Sequence, residues 1–298
     1  MDNKIISKFI IFIIGVIMLF CVYRFIKTKM KVLNNKKKKP TFIETKEDVI
    51  QIYKELTRRK CYRMDIAENE SPEILDSKLL GVPYLPIGEE YPVDKQGKPL
   101  SLVIQINFEN VNLDNYPSEG VLQVYVDAEK FKNFQITDSD FVIRYYEDTT
   151  LEYQKEFPVT ESITFYGFDK TVKLNLKENY TWMPISNCNF ETVLENTLSI
   201  YNEKMNTNIP LYEDGEISEK IFDIFWNEEE KIPSLLLSGY SNYVKGATSD
   251  GSECESHKKE CLIKLVDNNY SKTCLNIIIS KEDLLNRNFE KAKVFYMW

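Results

Sequence analysis

Apolar positions follow three rhythms along this chain. Near the start they are continuous, and Phe9 to Tyr23 carries no charge. From Thr45 they fall at helical spacing, with Val49, Ile52, Tyr53 and Leu56 on one face and Asp48 three residues after a capping Thr45. Arg58, Arg59 and Lys60 then close this helix with the charge that suits its C-terminus. Phe190, Val193, Leu194, Leu198, Tyr201 and Met205 predict a second helix. Ile221, Phe222, Ile224 and Phe225 predict a third beginning near Ser218, and Ser280 with Asp283 marks a short fourth. Elsewhere the rhythm is that of strands: short β-branched and aromatic runs at 102–107, 121–126, 141–146, 163–166, 171–176, 261–266, 275–279 and 294–298. Helices do not alternate regularly with these runs, which argues against a doubly wound parallel sheet. The expected fold is α+β, with largely antiparallel sheets and peripheral helices.

The continuous run is long enough for a membrane once its flanks are included. Ile5 to Ile26 spans 22 residues, which as a helix is roughly 33 Å against a hydrocarbon core of about 30 Å. Lys8 and Arg24 lie near its ends, where long stems reach the interface. The run leads into Tyr23-Arg24-Phe25-Ile26-Lys27, without the small residues of a signal-peptide cleavage site. The organisation that follows is a short tail at 1–8, one transmembrane helix at 9–26, a basic linker at 27–40 and a domain at 41–298. Lys4 and Lys8 stand on one side of the span; Arg24, Lys27, Lys29, Lys31, Lys36, Lys37, Lys38 and Lys39 stand on the other. That asymmetry predicts a single-pass protein of the cell membrane with its C-terminal domain in the cytoplasm. The Lys36–Lys39 run would sit near anionic headgroups.

Charge divides along the same boundary. The formal net charge of −8 over 298 residues conceals +9 on residues 1–39 and −17 on the remainder. An acidic body of that size disfavours nucleic acid and favours a basic protein partner.

The body also echoes itself. Gly81 precedes a Pro-rich turn and the runs at Leu102 and Leu122, while Gly239 precedes a loop and the runs at Leu262 and Leu275. The offsets are 158, 160 and 153 residues. An internal duplication accounts for them; three landmarks can also coincide by chance.

The segment from Ser77 to Phe108 is the most distinctive in the chain. Gly81, Pro83 and Pro86 form a Gly-x-Pro-x-x-Pro turn, and Gly97-Lys-Pro-Leu steps into Leu102-Val-Ile-Gln105-Ile-Asn107. The prolines fix φ and withhold a donor, the glycines permit tight bends, and Gln105 and Asn107 alternate with Ile104 and Ile106. This pattern resembles the signature of the YwqG-like family of bacterial proteins. Tyr116-Pro117, Gly120 to Tyr125, Arg144 to Asp148, residues 235–240 and the ending at Val294 to Trp298 match it more loosely. The resemblance covers roughly residues 41–298. It implies an α+β domain of unassigned biochemistry with no agreed catalytic set. The chain departs from the family in its anchor, in a polar loop at 245–260, and in Ser241 where a proline is usual.

Familiar chemistry is scarce. His257 is the sole histidine, and there is no Gly-x-Ser-x-Gly, phosphate-cradling glycine loop or Cys-x-x-Cys. On a helix, Cys254, His257 and Cys261 would share a face, with Cys274 as a fourth ligand, but the spacing matches no common zinc module. A loop that merely holds two cysteines is the simpler reading, so no metal and no cofactor is expected. A Cys254–Cys261 disulfide would need an oxidising compartment, against the orientation above. Carboxylates cluster at Glu89-Glu90 and Glu228–Glu230, as a chain this acidic ensures. Three readings of function stand. The first is a membrane-anchored, non-catalytic binding module. The second is an immunity-type protein that neutralises a toxin. The third is an enzyme with a carboxylate-lined cleft between two halves.

Overall fold

A computed structural model describes residues 42–241 and 259–297, apart from breaks at 134, 136, 188, 214–215, 218, 230 and 268–272. The expected span at 9–26, Lys36 to Lys39, Cys254 and His257 lie outside the described residues. No described helix is long and apolar enough to cross a membrane.

Helix α1 (Phe42–Leu56) leads into strand β1 (Arg59–Ala67), and β2 (Lys78–Leu79), β3 (Ser101–Asn107) and β4 (Val121–Val126) follow. Helix α2 (Ala128–Lys132), β5 (Phe141–Tyr146), β6 (Val172–Thr181) and α3 (Phe190–Met205) come next. A small hairpin of β7 (Tyr212–Glu213) and β8 (Glu216–Ile217) precedes α4 (Glu219–Glu229). The chain ends with β9 (Leu235–Leu237), β10 (Lys259–Asp267), β11 (Thr273–Ser280), α5 (Lys281–Leu285), a 3-10 turn (Phe289–Lys291) and β12 (Lys293–Met297). The fold is therefore α+β, and every described strand pairing is antiparallel.

Ten strands form one sheet in the order β12-β11-β10-β9-β1-β6-β2-β3-β4-β5. Outward from the central β1–β6 pair, each side runs through a short strand and three longer ones in chain order. The likeness extends to detail. Leu80 (φ 58°) and Gly81 (φ 83°) follow β2 in the left-handed region, as Ser238 (φ 69°) and Gly239 (φ 107°) follow β9. The Leu80 N–H donates to Val103 O at 3.0 Å, and the Ser238 N–H donates to Leu262 O at 3.0 Å. Both acceptors sit in register shifts, at Leu102/Ile104 against β4 and at Cys261/Ile263 against β11. Such bulges sharpen strand twist, and here they curl both wings of the sheet.

The curled sheet approaches a barrel. Tyr145 on β5 lies 5.0 Å from the Phe289 ring, and the Val294 N–H donates to Asp138 Oδ1 at 3.2 Å. Met64, Ile104, Leu122, Leu174, Leu265 and Ile277 belong to one buried cluster inside it. Each such side chain contributes about 1.5–3 kcal/mol on burial. A second cluster joins α1, α3 and α4, where the rings of Tyr53, Phe190 and Phe225 meet edge to face. Glu228, in the acidic run at the end of α4, is hydrogen-bonded by Lys54 and Lys231. Burial opposes its ionisation, yet those bonds hold its carboxyl below the usual range.

Four expectations need correction. Thr45 does not cap α1, which already runs from Phe42. Arg59 and Lys60 do not close that helix but open β1, because Glu260 pairs with Arg59 at 3.1 Å and Glu178 pairs with Lys60 at 2.9 Å. The run 163–166 is not a strand but leads into a tight turn at 165–168, where Tyr166 (φ 57°) and Gly167 (φ 79°) reverse the chain and Phe165 bridges Phe168. Phe222 does not join the buried face of α4; it is exposed and stacks on Trp226.

Candidate functional site

The signature segment lies across the outer face of β3, β4 and β5, where glutamines hold it. The Tyr84 N–H donates to Gln105 Oε1 at 2.9 Å. Gln105 Nε2 donates to Ile74 O at 2.8 Å and to Asp76 O at 2.9 Å. Gln123 Nε2 donates to Tyr84 O at 2.6 Å and to Gln105 Oε1 at 2.8 Å, and Tyr125 Oη donates to Gln123 Oε1 at 2.7 Å. A single glutamine pair thus fixes the segments around 74–76 and 84 to the sheet. Asn107 extends the bracing, because its Nδ2 donates to Leu75 O and its Oδ1 accepts from the Glu109 N–H. Pro86 bridges Tyr153, the Ile87 N–H donates to Glu152 O and the Gln154 N–H donates to Leu85 O, so a second loop lies alongside the first.

Gly81 is required by contact as well as by its φ of 83°: a Cβ there would meet Thr171 Oγ1 at 1.8 Å. Gly97 serves a simpler turn, in which its N–H donates to Asp94 O and the Asp94 carboxylate accepts from the Gln96 and Lys98 N–H groups.

The glutamines belong to a longer row. Register places Lys173, Lys78, Gln105, Gln123 and Arg144 opposite one another across β6, β2, β3, β4 and β5. Lys78 is buried, and its Nζ donates to Glu73 O and Ile74 O. Burial draws its pKa down to about 8, with Asp76 opposing. Arg144 ends the row, 4.0 Å from Glu89. Arg144 Nε and Tyr146 Oη are buried without a hydrogen-bond partner. The other wing repeats the pattern with different side chains: Lys264 and Asn276, both buried, are register partners on β10 and β11.

A cleft of about 370 Å³ opens beside this layer, lined by residues 80–83 and 160–163 together with Tyr91, Phe157, Pro158, Asp169, Lys170 and Thr171. Tyr91 packs edge-on against Phe157 and Tyr125, and its hydroxyl donates to Leu100 O at 3.0 Å. Burial pushes that phenol up to about 12. Glu161 at the wall is ion-paired with Lys98 at 2.8 Å. The cleft offers aromatic walls, hydroxyls and, besides the paired Glu161, the charges of Asp169 and Lys170. It lies within the first wing rather than between the two. Where the wings meet, at β1, β6 and β9, there is an open depression whose one described carboxylate, Asp65, is bonded by Arg63 and Lys177. Those bonds hold Asp65 below the usual carboxylate range although burial opposes them.

Of the signature residues, Gly81 and Pro83 line the cleft, Pro86, Gln105 and Asn107 build the layer beside it, and Gly97 shapes a turn at its edge. Of the metal cluster weighed against the simpler reading, Cys254 and His257 lie outside the described residues. Cys261 lies in β10 and not on a helix, and register places it five positions from the partner of Cys274, about 16 Å along the strand. Among the described residues no group of acids, cysteines or histidine could hold a metal ion. Sequence reasoning missed Lys78, Tyr84, Gln123, Arg144 and Tyr146. Gln123 had a visible signal, as a lone amide between Leu122 and Val124.

A family model described as Domain of unknown function (DUF1963) matches residues 77–298. No curated protein matches the chain.

Proposed function

Because the chain belongs to the family described as Domain of unknown function (DUF1963), we propose that it is a non-catalytic binding module of the YwqG-like type, held at the cytoplasmic face of the cell membrane by residues 9–26. The observation that carries the binding reading is where the signature residues place their hydrogen bonds. Gln105, Asn107 and Gln123 bond the backbone of the loops they cover, so the signature builds a surface and a cleft. Glu161 at the cleft wall is engaged by Lys98, and Asp65 at the junction of the wings by Arg63 and Lys177, which suits recognition better than proton transfer at those two carboxylates. The uncharged Phe9–Tyr23 run and the eight basic residues that follow it support the anchor and its orientation.

Affinity capture of the full-length chain from its native membranes tests the binding reading, run beside a screen for turnover of small molecules. A stoichiometric partner or bound ligand is expected. Turnover of a small molecule without any bound partner overturns the reading. Protease treatment of sealed spheroplasts and of inverted vesicles tests the anchor: the domain should be cut only in the inverted vesicles.

A further inference from the structure

The lining of the 370 Å³ cleft specifies what it can hold. Its size is that of a small-molecule site. Tyr91 and Phe157 both line it, and their rings meet at 71° with centroids 6.3 Å apart. Both are half-buried, so each keeps free surface. Pro83 and Pro158 add flat apolar faces. Charge is balanced around them. Lys98 neutralises Glu161, Asp169 and Lys170 offset each other, and the Tyr91 phenol stays protonated because burial raises it to about 12. An ionic ligand would meet as much repulsion as attraction while losing its water. Uncharged hydrogen-bonding capacity remains, since the hydroxyls of Thr160, Ser162 and Thr171 bond no other described residue.

One wall of the cleft is lightly held. Among the described residues, none from 155 to 164 makes a backbone–backbone hydrogen bond. Ser101 Oγ fastens the segment by donating to Glu161 O at 2.8 Å, with the Lys98–Glu161 pair and buried Ile163 beside it. A segment with so few bonds opens at small cost, so a molecule that fills the cleft should order this wall.

We propose that the cleft binds an uncharged molecule carrying a planar apolar ring and one or two hydrogen-bonding groups. The ring would lie against Tyr91 and Phe157, and the polar groups would reach the hydroxyls of Thr160 and Ser162. This rests on the binding-module reading and names the class of ligand that module takes.

The test uses the full-length chain in nanodiscs, with empty nanodiscs as the blank. Four probes separate ring from charge. N-acetyltryptophanamide has the ring and no charge, N-acetyltryptophan adds a negative charge, tryptophanamide adds a positive one, and N-acetylleucinamide lacks the ring. Calorimetry should show saturable binding of the first, roughly tenfold weaker binding of either charged analogue and clearly weaker binding of the leucine amide. Hydrogen exchange over 155–164 should slow when N-acetyltryptophanamide binds. Phe157→Ala should weaken that binding roughly fivefold. Val82→Asp, at a cleft position 49% exposed where the fold tolerates a polar group, should weaken it roughly tenfold. Leu285→Asp, at an exposed site on α5, should leave it unchanged. No saturable binding of N-acetyltryptophanamide, equal binding of a charged analogue or of the leucine amide, binding indifferent to both cleft variants, or unchanged exchange over 155–164 overturns the proposal. Failure of all four probes beside a captured native partner would overturn this ligand class while leaving the binding module standing.

Discussion

Gln123 Nε2 donates to Gln105 Oε1 at 2.8 Å across β4 and β3, and through that bond the sheet holds the backbone of Tyr84 on both its N–H and its carbonyl. Both amides are fully buried, where an orphaned partner costs about 1–3 kcal/mol. Gln105→Leu would strand the Tyr84 N–H and the carbonyls of Ile74 and Asp76 together. We expect a loss of about 3 kcal/mol or more, read as a shift in the urea midpoint. A variant as stable as the parent would remove the glutamine pair from its bracing role.

The same amides show what the sequence disclosed and what it withheld. Gln105 was visible because it interrupts an alternating apolar run, and the limits of β4, β5 and α3 follow from equally regular patterns. β1 was hidden because Arg59 and Lys60 look like a helix terminus until Glu260 and Glu178, distant in sequence, neutralise them. The polar row from Lys173 to Arg144 exists only in the register of five strands. No local pattern encodes a register set by long-range pairing. The order of the two wings, in contrast, was already present in the offsets between Gly81 and Gly239 and between Leu102 and Leu262.

Two signature glycines should differ in what they tolerate. Gly81→Ala meets both a φ of 83° and the Thr171 side chain, whereas at Gly97 (φ 81°) nothing lies within 4 Å of an added Cβ. The backbone term alone is about 1–2 kcal/mol. Gly97→Ala should cost that much and Gly81→Ala clearly more, by thermal unfolding. Thr171→Gly in the Gly81→Ala background should return the difference; failure to do so would mean that crowding at Thr171 is not the cause.

Lys78 should make stability rise in mildly alkaline solution. Its folded pKa of about 8 lies below the ordinary value of 10.5. The unfolded chain therefore binds the extra proton between those values, and stability increases as pH rises from about 8 towards 10.5. The gain is at most roughly 3 kcal/mol. Burial raises the pKa of Tyr91 and Tyr146, which takes stability away at still higher pH, so the effect is best read as the difference from Lys78→Met. Parallel curves for the two proteins between pH 8 and 10 would count against it.

Cys61 should be inert in the native state. It is fully buried on β1, and burial pushes its thiol up to about 12 despite the nearby Lys264. Thiolate is the reactive form, so iodoacetamide should label Cys61 only after denaturation, as judged by peptide mass spectrometry. Rapid labelling of native protein at pH 7.5 would show that β1 opens.

Tyr146 offers the opposite case to Gln105: a buried polar atom whose removal should help. Its hydroxyl has no hydrogen-bond partner, and burial holds the phenol at about 12. Its ring packs edge-on against Tyr84 at 6.0 Å, a contact phenylalanine would keep. Tyr146→Phe therefore sheds a desolvation cost without opening a cavity and should leave stability equal or raise it by about 1 kcal/mol. Tyr84→Phe should be mildly destabilising, because that hydroxyl donates to Asp148 O and Leu151 O at 3.3 Å and ties down the second loop. Urea midpoints for the two variants provide the comparison. If Tyr146→Phe proved the more damaging, the Tyr146 hydroxyl would have to hold a bond in solution, and with the neighbouring Arg144 Nε it would mark a place where a small acceptor sits.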